Sequence, residues 1–192
     1  MDTWKINITH FEIDQIMEEF NHAIVICRDL FERKLKDYGA SWRLMRPQSV
    51  TDQILIKTKR IRNLEMKNCS IVDETVEDDL MAIANYGIIG LIQLNLGFSS
   101  IVDMDNDQIM KLYDEHIKET EKLMQAKNHD YDDAWESMRT SSYVDFILTK
   151  IFRIKQIEQN GGKASSSEGI DRNYMDIINY ALFALILTNR SK

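Results

Sequence analysis

Apolar residues recur at three- and four-residue steps through most of this chain, and no stretch shows a strand's alternation. Phe11, Ile13, Ile16, Met17, Phe20, Ile24, Leu30 and Phe31 share one stripe, which predicts an amphipathic helix over residues 8–35 after an irregular lead-in over 1–8. It should end at Asp37-Tyr38-Gly39, where Gly39 can supply a left-handed C-cap. A loop over 38–48 leads through Pro47 into a second helix that reaches Met66, with Ile54, Leu55, Ile61 and Leu64 on its apolar face. A third helix is predicted over 74–96. The pattern then starts again, with helices over 106–126, up to Gln159, and over 168–187. The loops between second and third helices, 67–73 and 160–167, are polar, and the later one is rich in glycine and serine. The expected class is all-α, with a first unit over 1–97, a linker over 98–104 and a second unit over 105–192, packed as a pseudo-dimeric bundle.

The restart is a duplication. Residues 34–65 and 127–158 align without a gap, with identities at Lys34/Lys127, Asp37/Asp130, Tyr38/Tyr131, Trp42/Trp135, Met45/Met138, Arg46/Arg139, Ser49/Ser142, Asp52/Asp145, Ile54/Ile147, Leu55/Leu148, Lys57/Lys150, Arg60/Arg153, Ile61/Ile154 and Glu65/Glu158. Chance would give about one identity in twenty, so these are two copies of one unit. After one inserted residue the match resumes at Glu74/Glu168, Asn85/Asn179 and Tyr86/Tyr180.

Composition narrows the function classes. A net charge of −7 disfavours a general nucleic-acid binder, which would carry a basic face. One proline and seven glycines suit long helices with short connections. Cys27 and Cys69 read as reduced thiols rather than a disulfide framework. The N-terminus lacks a signal-peptide pattern, and the runs IIGLIQLNLGF and YALFALILT fall short of a bilayer span. A cytoplasmic protein with no membrane partner is expected.

Some repeated residues exceed what packing requires. Lys57 and Lys150 project into the apolar face of the second helix of each half, bordered by Arg60 and Arg153. A lysine so placed must snorkel, find a carboxylate, or bind a phosphate. Ser49 with Asp52, and Ser142 with Asp145, resemble capping boxes. On the third helix, Glu74, Asp78 and Asn85 fall within about 40° on a helical wheel. Glu168 and Asn179 occupy the same stripe in the second half, with Arg172 replacing Asp78 and Asp176 standing where the first half has Ala82. Carboxylates so spaced could share Mg²⁺, so Glu74, Asp78, Glu168 and Asp176 are the candidate ligands. Lys34, Tyr38, Trp42 and Arg46, with Lys127, Tyr131, Trp135 and Arg139, supply rings and cations suited to a base and its phosphates, and Asp37, Asn85, Asp130 and Asn179 complete the candidate substrate-binding set. No catalytic nucleophile, Gly-rich phosphate loop or histidine metal spacing is present in the sequence.

The pattern Lys34-x-x-Asp-Tyr-Gly…Ser-Trp…Met-Arg…Asp…Ile-Leu…Lys…Arg-Ile, followed by Glu74-x-Val-x-Asp78-x-Leu…Asn85-Tyr86, resembles the nucleotide modification associated domain 1 family, small α-helical domains of bacteria and their phages. The resemblance covers about residues 25–95 and 118–188. The family pattern carries two aspartates on the third helix, and each half here keeps one: Asp78 in the first, Asp176 in the second. The architecture is also similar to MazG-like and dimeric dUTPase-like all-α pyrophosphohydrolases, which implies Mg²⁺ held by acidic residues on paired helices. The resulting expectation is a nucleotide-binding protein, with Mg²⁺-dependent hydrolysis of a di- or triphosphate as its extension. Lys57, Arg60, Lys150 and Arg153 would hold phosphates; Tyr38, Trp42, Tyr131 and Trp135 would hold the base. The alternative is a non-catalytic helical interaction or scaffold module. A small-molecule nucleotide is the expected partner, and the chain could also form a homodimer.

Overall fold

The computed structural model describes residues 10–67, 73–162 and 168–190, and their side chains except those of 10–15, 129 and 131–133. The expected lead-in, Cys69, most of both polar loops and the Tyr131 side chain lie outside the described residues. Six helices are described: α1 (His10–Tyr38), α2 (Pro47–Lys67), α3 (Val76–Leu96), α4 (Asn106–Tyr131), α5 (Thr140–Gln159) and α6 (Ile170–Arg190). Short 3₁₀ turns occupy Ser41–Leu44 and Asp132–Ser137, within the expected loops. No strand occurs among the described residues. The protein is all-α, a tandem repeat in which α1–α3 correspond to α4–α6.

The two copies build one core. α3 and α6 lie side by side at its centre, flanked by α2 and α5, and α1 and α4 each reach both central helices. Gly87 of α3 faces Ile178 and Gly90 faces Tyr174, so residue numbers rise on one helix as they fall on the other. The central pair is antiparallel. Without a Cβ at Gly90, the α3 backbone approaches the Tyr174 ring to a distance that alanine could not reach unless something moved. Fully buried Ile54, Ile61, Ile83, Ile88, Ile147, Ile154 and Ile178 come from both copies and join a single cluster. Each such side chain contributes about 1.5–3 kcal/mol. Polar bonds also cross between copies: Thr51 Oγ1 lies 2.6 Å from Tyr174 Oη, Arg28 pairs with Asp114 at 2.7 Å, and Lys155 with Asp52 at 2.6 Å.

Two expectations need revision. The capping serines are inside their helices, because α2 begins at Pro47 and α5 at Thr140, with Arg139 as a cap that makes no side-chain bond. The working capping box is Thr75 with Asp78 at the start of α3. Finally, α3 is long and apolar enough to cross a membrane by length and composition, with 72% of that window buried inside the fold. Its apolar surface is already covered by its neighbours, above all α6 and α2.

Candidate functional site

The duplicated segment forms a cavity in each half, at corresponding places. In the first, α1, the 3₁₀ turn and α3 enclose ≈ 170 Å³ between Phe31, Lys34, Tyr38, Trp42, Met45, Ala82, Asn85, Tyr86 and Ile89. In the second, α4, its 3₁₀ turn, α5 and α6 enclose ≈ 380 Å³ between Met124, Lys127, Trp135, Met138, Tyr143, Phe146, Asp176, Asn179, Tyr180 and Phe183. Lys34/Lys127, Trp42/Trp135, Met45/Met138, Asn85/Asn179 and Tyr86/Tyr180 are repeat partners. The tryptophan, asparagine and tyrosine positions singled out by the duplication therefore converge, twice.

Different scaffolding holds the two tryptophans. Gln93 on α3 donates through Nε2 to the carbonyls of Trp42 (3.2 Å), Arg43 (3.3 Å) and Met45 (2.5 Å), which fixes the first turn. The buried Arg43 guanidinium binds Asp103 at 2.9 and 3.1 Å and donates to the Gly97 carbonyl at 2.6 Å, tying the turn to the linker. That guanidinium holds the Asp103 carboxyl below its usual range. In the second half Tyr143 Oη donates to the Trp135 carbonyl at 2.9 Å, and Arg190 lies 5.5 Å over the Trp135 ring. Trp135 also stacks on Phe183, with centroids 4.5 Å apart.

Asn85 and Asn179 do the same structural job and end differently. Each donates through Nδ2 to the long helix behind it, Asn85 to the Cys27 carbonyl (3.0 Å) and Asn179 to that of Thr120 (3.3 Å). Asn85 Oδ1 then accepts from Tyr113 Oη at 2.8 Å. The counterpart of Tyr113 is Phe20, and Asn179 Oδ1 is left buried with no hydrogen-bond partner among the described residues. Trp135 Nε1 is buried and unpartnered in the same way. Two residues that line the second cavity thus carry unmet bonding capacity on buried atoms, which is costly unless something supplies it.

The core-facing lysines pair with carboxylates on the neighbouring helix. Asp79, fully buried, lies 3.1 Å from Lys57 Nζ and pairs closely with Arg60. Lys57 also meets Glu74 at 3.0 Å, and Arg60 donates to the Glu74 carbonyl at 2.7 Å. Burial opposes the charged form of Lys57, but its bonds to Glu74 and Asp79 outweigh that and raise its pKa. The bond from Lys57 lowers that of Glu74. In the second half the buried Asp176 takes Lys150 and Lys127, each at 2.5 Å, with Glu168 3.5 Å from Lys150. Lys57, Arg60 and Lys150, expected to hold phosphates, are thus engaged by buried carboxylates, with which a phosphate would have to compete.

The residues do not fit a resident Mg²⁺. Glu74, Glu168 and Asp176 are engaged by lysine and arginine. Asp78 Oδ2 accepts from the Thr75 backbone N–H and hydroxyl, both at 2.9 Å, and those bonds lower its pKa. Among the described residues no three His, Cys, Asp or Glu side chains gather to hold a metal. Asp37, Arg46, Asp130, Arg139 and Arg153 are exposed and line neither cavity.

Asp79, Tyr143, Phe146 and Phe183 were not anticipated. Duplication pointed away from all four, since their counterparts are Asn173, Val50, Gln53 and Ile89. Only the packing places them.

A family model described as nucleotide modification associated domain 1 matches the chain twice, over residues 34–94 and 127–187. No curated protein and no solved structure matches.

Proposed function

The chain belongs to the nucleotide modification associated domain 1 family, and on that premise we propose that it binds a nucleobase-containing ligand in the cavity of its second half. The observation that carries this reading is the unpaired acceptor of Asn179 and the unpaired donor of Trp135, two residues of a lining that also brings together the rings of Tyr143, Phe146, Tyr180 and Phe183. A base needs flat apolar faces and a few edge bonds. Stacking on an aromatic contributes about 1–3 kcal/mol per base, and a donor with an acceptor reads part of a base edge. The cavity's ≈ 380 Å³ lies within the range of about 300–1,000 Å³ common for ligand sites. Sugar and phosphates would lie toward the exposed mouth, and any Mg²⁺ would arrive with those phosphates rather than on the carboxylates.

The test is calorimetry with nucleosides and nucleotides, with and without Mg²⁺, on the wild type and on Ala134→Trp. Ala134 is exposed and lines the cavity, so the new ring should fill it from the mouth without opening the core. The expected result is saturable binding by the wild type and the loss of one bound equivalent in the variant, with unchanged helicity. At about 100 times its dissociation constant the ligand should stabilise the fold by about 2.7 kcal/mol. A stoichiometry that Ala134→Trp leaves unchanged, or no binding of any base, would sink the reading. Pyrophosphate release measured in the same samples would extend it to hydrolysis.

A second reading, a non-catalytic interaction or scaffold module, is favoured by the engagement of Lys57, Arg60 and Lys150 in pairs with Asp79 and Asp176. A flat response across the nucleotide panel would move the weight to it.

A further inference from the structure

We propose that the first-half cavity is a second and separate binding site, selective for a flat aromatic ligand carrying a phosphomonoester, with Lys34 as its cation. The proposal does not depend on the nucleobase reading, because it concerns a different cavity and different residues.

Position 82 and its counterpart 176 carry the argument. Lys127 lines the second cavity, and its ammonium lies 2.5 Å from Asp176. Lys34 lines the first cavity at the corresponding place, but the facing residue is Ala82. Among the described residues its ammonium has no hydrogen-bond or ion-pair partner. The carboxylate that feels its charge, Asp78, is already held by Thr75 and forms no ion pair with it. The same lysine is thus clamped by a buried carboxylate in one cavity and faces only the exposed, already bonded Asp78 in the other. Around it stand Phe31, Trp42 and Tyr86, faces for a ring, while Tyr38 is 58% exposed at the rim. At ≈ 170 Å³ the cavity is less than half the volume of its twin. It suits a ring inserted from the mouth with its charged group left outside, which is where an exposed Lys34 lies.

Because Lys34 is exposed, water and salt will screen its attraction, and a modest effect is expected. The experiment is calorimetry on the full chain carrying Ala134→Trp, which closes the second cavity, with adenosine 5′-monophosphate, adenosine and inorganic phosphate as probes. The monophosphate should bind about fivefold more tightly than adenosine. Inorganic phosphate alone, lacking the ring, should give no saturation. The preference for the monophosphate should disappear in Lys34→Met, persist in Lys34→Arg, and shrink at high salt. Ala82→Asp should reproduce the clamp of the second half and also remove the preference. Ser41→Trp, at the exposed counterpart of Ala134, should abolish binding of both adenosine ligands. Equal affinity for adenosine and its monophosphate would overturn the proposal. So would a preference that survives Lys34→Met, or the absence of monophosphate binding once Ala134→Trp is in place. That last result would leave nucleobase binding by the wild type untouched, so the two readings fail separately.

Discussion

In the first half the buried carboxylate stands at Asp79, and in the second it stands one helical turn further on, at Asp176. Each half carries a neutral residue where the other has its acid, Asn173 for Asp79 and Ala82 for Asp176. Lys57 and Lys150 reach the carboxylate in either place. What changes is the second cation. From position 79 the carboxylate draws Arg60, at the border of α2, and Lys34 stays available to its cavity. From position 176 it draws Lys127, which lines the other cavity. A shift of three residues leaves the stabilising pair in place and changes the charge that a ligand would meet.

The largest effect should come from removing either acid. Asp79→Ala strands Lys57 and Arg60, and Asp176→Ala strands Lys150 and Lys127. Breaking a buried pair costs about 3–5 kcal/mol, and the partial exposure of Lys57, Arg60 and Lys127 places the loss at the lower end, more so for Asp79, since Lys150 is buried. Urea melts would show it. The register swap Asp79→Asn with Ala82→Asp should recover most of that loss, since it builds the second half's arrangement in the first. If the swap is no more stable than Asp79→Ala, the two positions are not alternatives and the comparison fails.

The helices and their duplication were legible in the sequence because a 3.6-residue stripe and repeated residues are both local signals. Lys57 and Lys150 were recognised as out of place on an apolar face, and a carboxylate on the next helix was one of the named resolutions. Which carboxylate was not legible. Asp79 sits in the run Glu77-Asp78-Asp79, where each acid has the same plain explanation at a helix N-terminus, and only α2 packing on α3 selects it. The partners of the candidate Mg²⁺ ligands were not legible for the same reason: spacing on a wheel shows that Glu74 and Asp78 share a face, but not that Lys57 and Thr75 reach them. The aromatic residues Tyr143, Phe146 and Phe183 are ordinary core residues by pattern, and become a cavity wall only through the meeting of α5 and α6.

A smaller effect tests the antiparallel centre. α3 carries Gly87 where α6 has Ala181. A Cβ at 87 would lie 2.5 Å from Ile178 Cγ1 and 3.2 Å from its Cδ1. Gly87→Ala gains helix propensity, about 1 kcal/mol, yet overpacking costs about 1–3 kcal/mol. A net loss is expected. Combined with Ile178→Ala it should cost less than the two single changes together, as residues in contact do. Strict additivity would place the two helices differently.

The asparagine pair gives a finer contrast. Tyr113→Phe removes the donor to Asn85 Oδ1 and should cost about 1–2 kcal/mol, because a buried acceptor is left unpaired. Phe20→Tyr places a hydroxyl at the equivalent site, where it can satisfy Asn179. It should cost less than Tyr113→Phe in thermal melts while weakening nucleobase binding in the second cavity. Equal costs with unchanged ligand affinity would mean that Asn179 Oδ1 has no part in binding.

The smallest effect separates the helix starts. α3 opens with the Thr75–Asp78 box, whereas α6 follows Gly169, the counterpart of Thr75, and Asn173 Nδ2 donates back to the Gly169 and Glu168 carbonyls at 2.7 and 3.3 Å. Thr75→Ala should therefore cost about 1 kcal/mol near neutral pH, and Gly169→Ala should reproduce none of it. The cap also has a pH signature. Bonds from the Thr75 N–H and hydroxyl hold the Asp78 carboxyl below its unfolded value of about 3.9. A depressed acid contributes stability that is present above the unfolded pKa and lost as pH falls through the folded one. The gap between wild type and Thr75→Ala should thus be constant from pH 7 to about pH 5 and narrow below pH 4. A gap that stays constant through that fall would mean that the Thr75 hydroxyl caps the helix without help from the Asp78 charge.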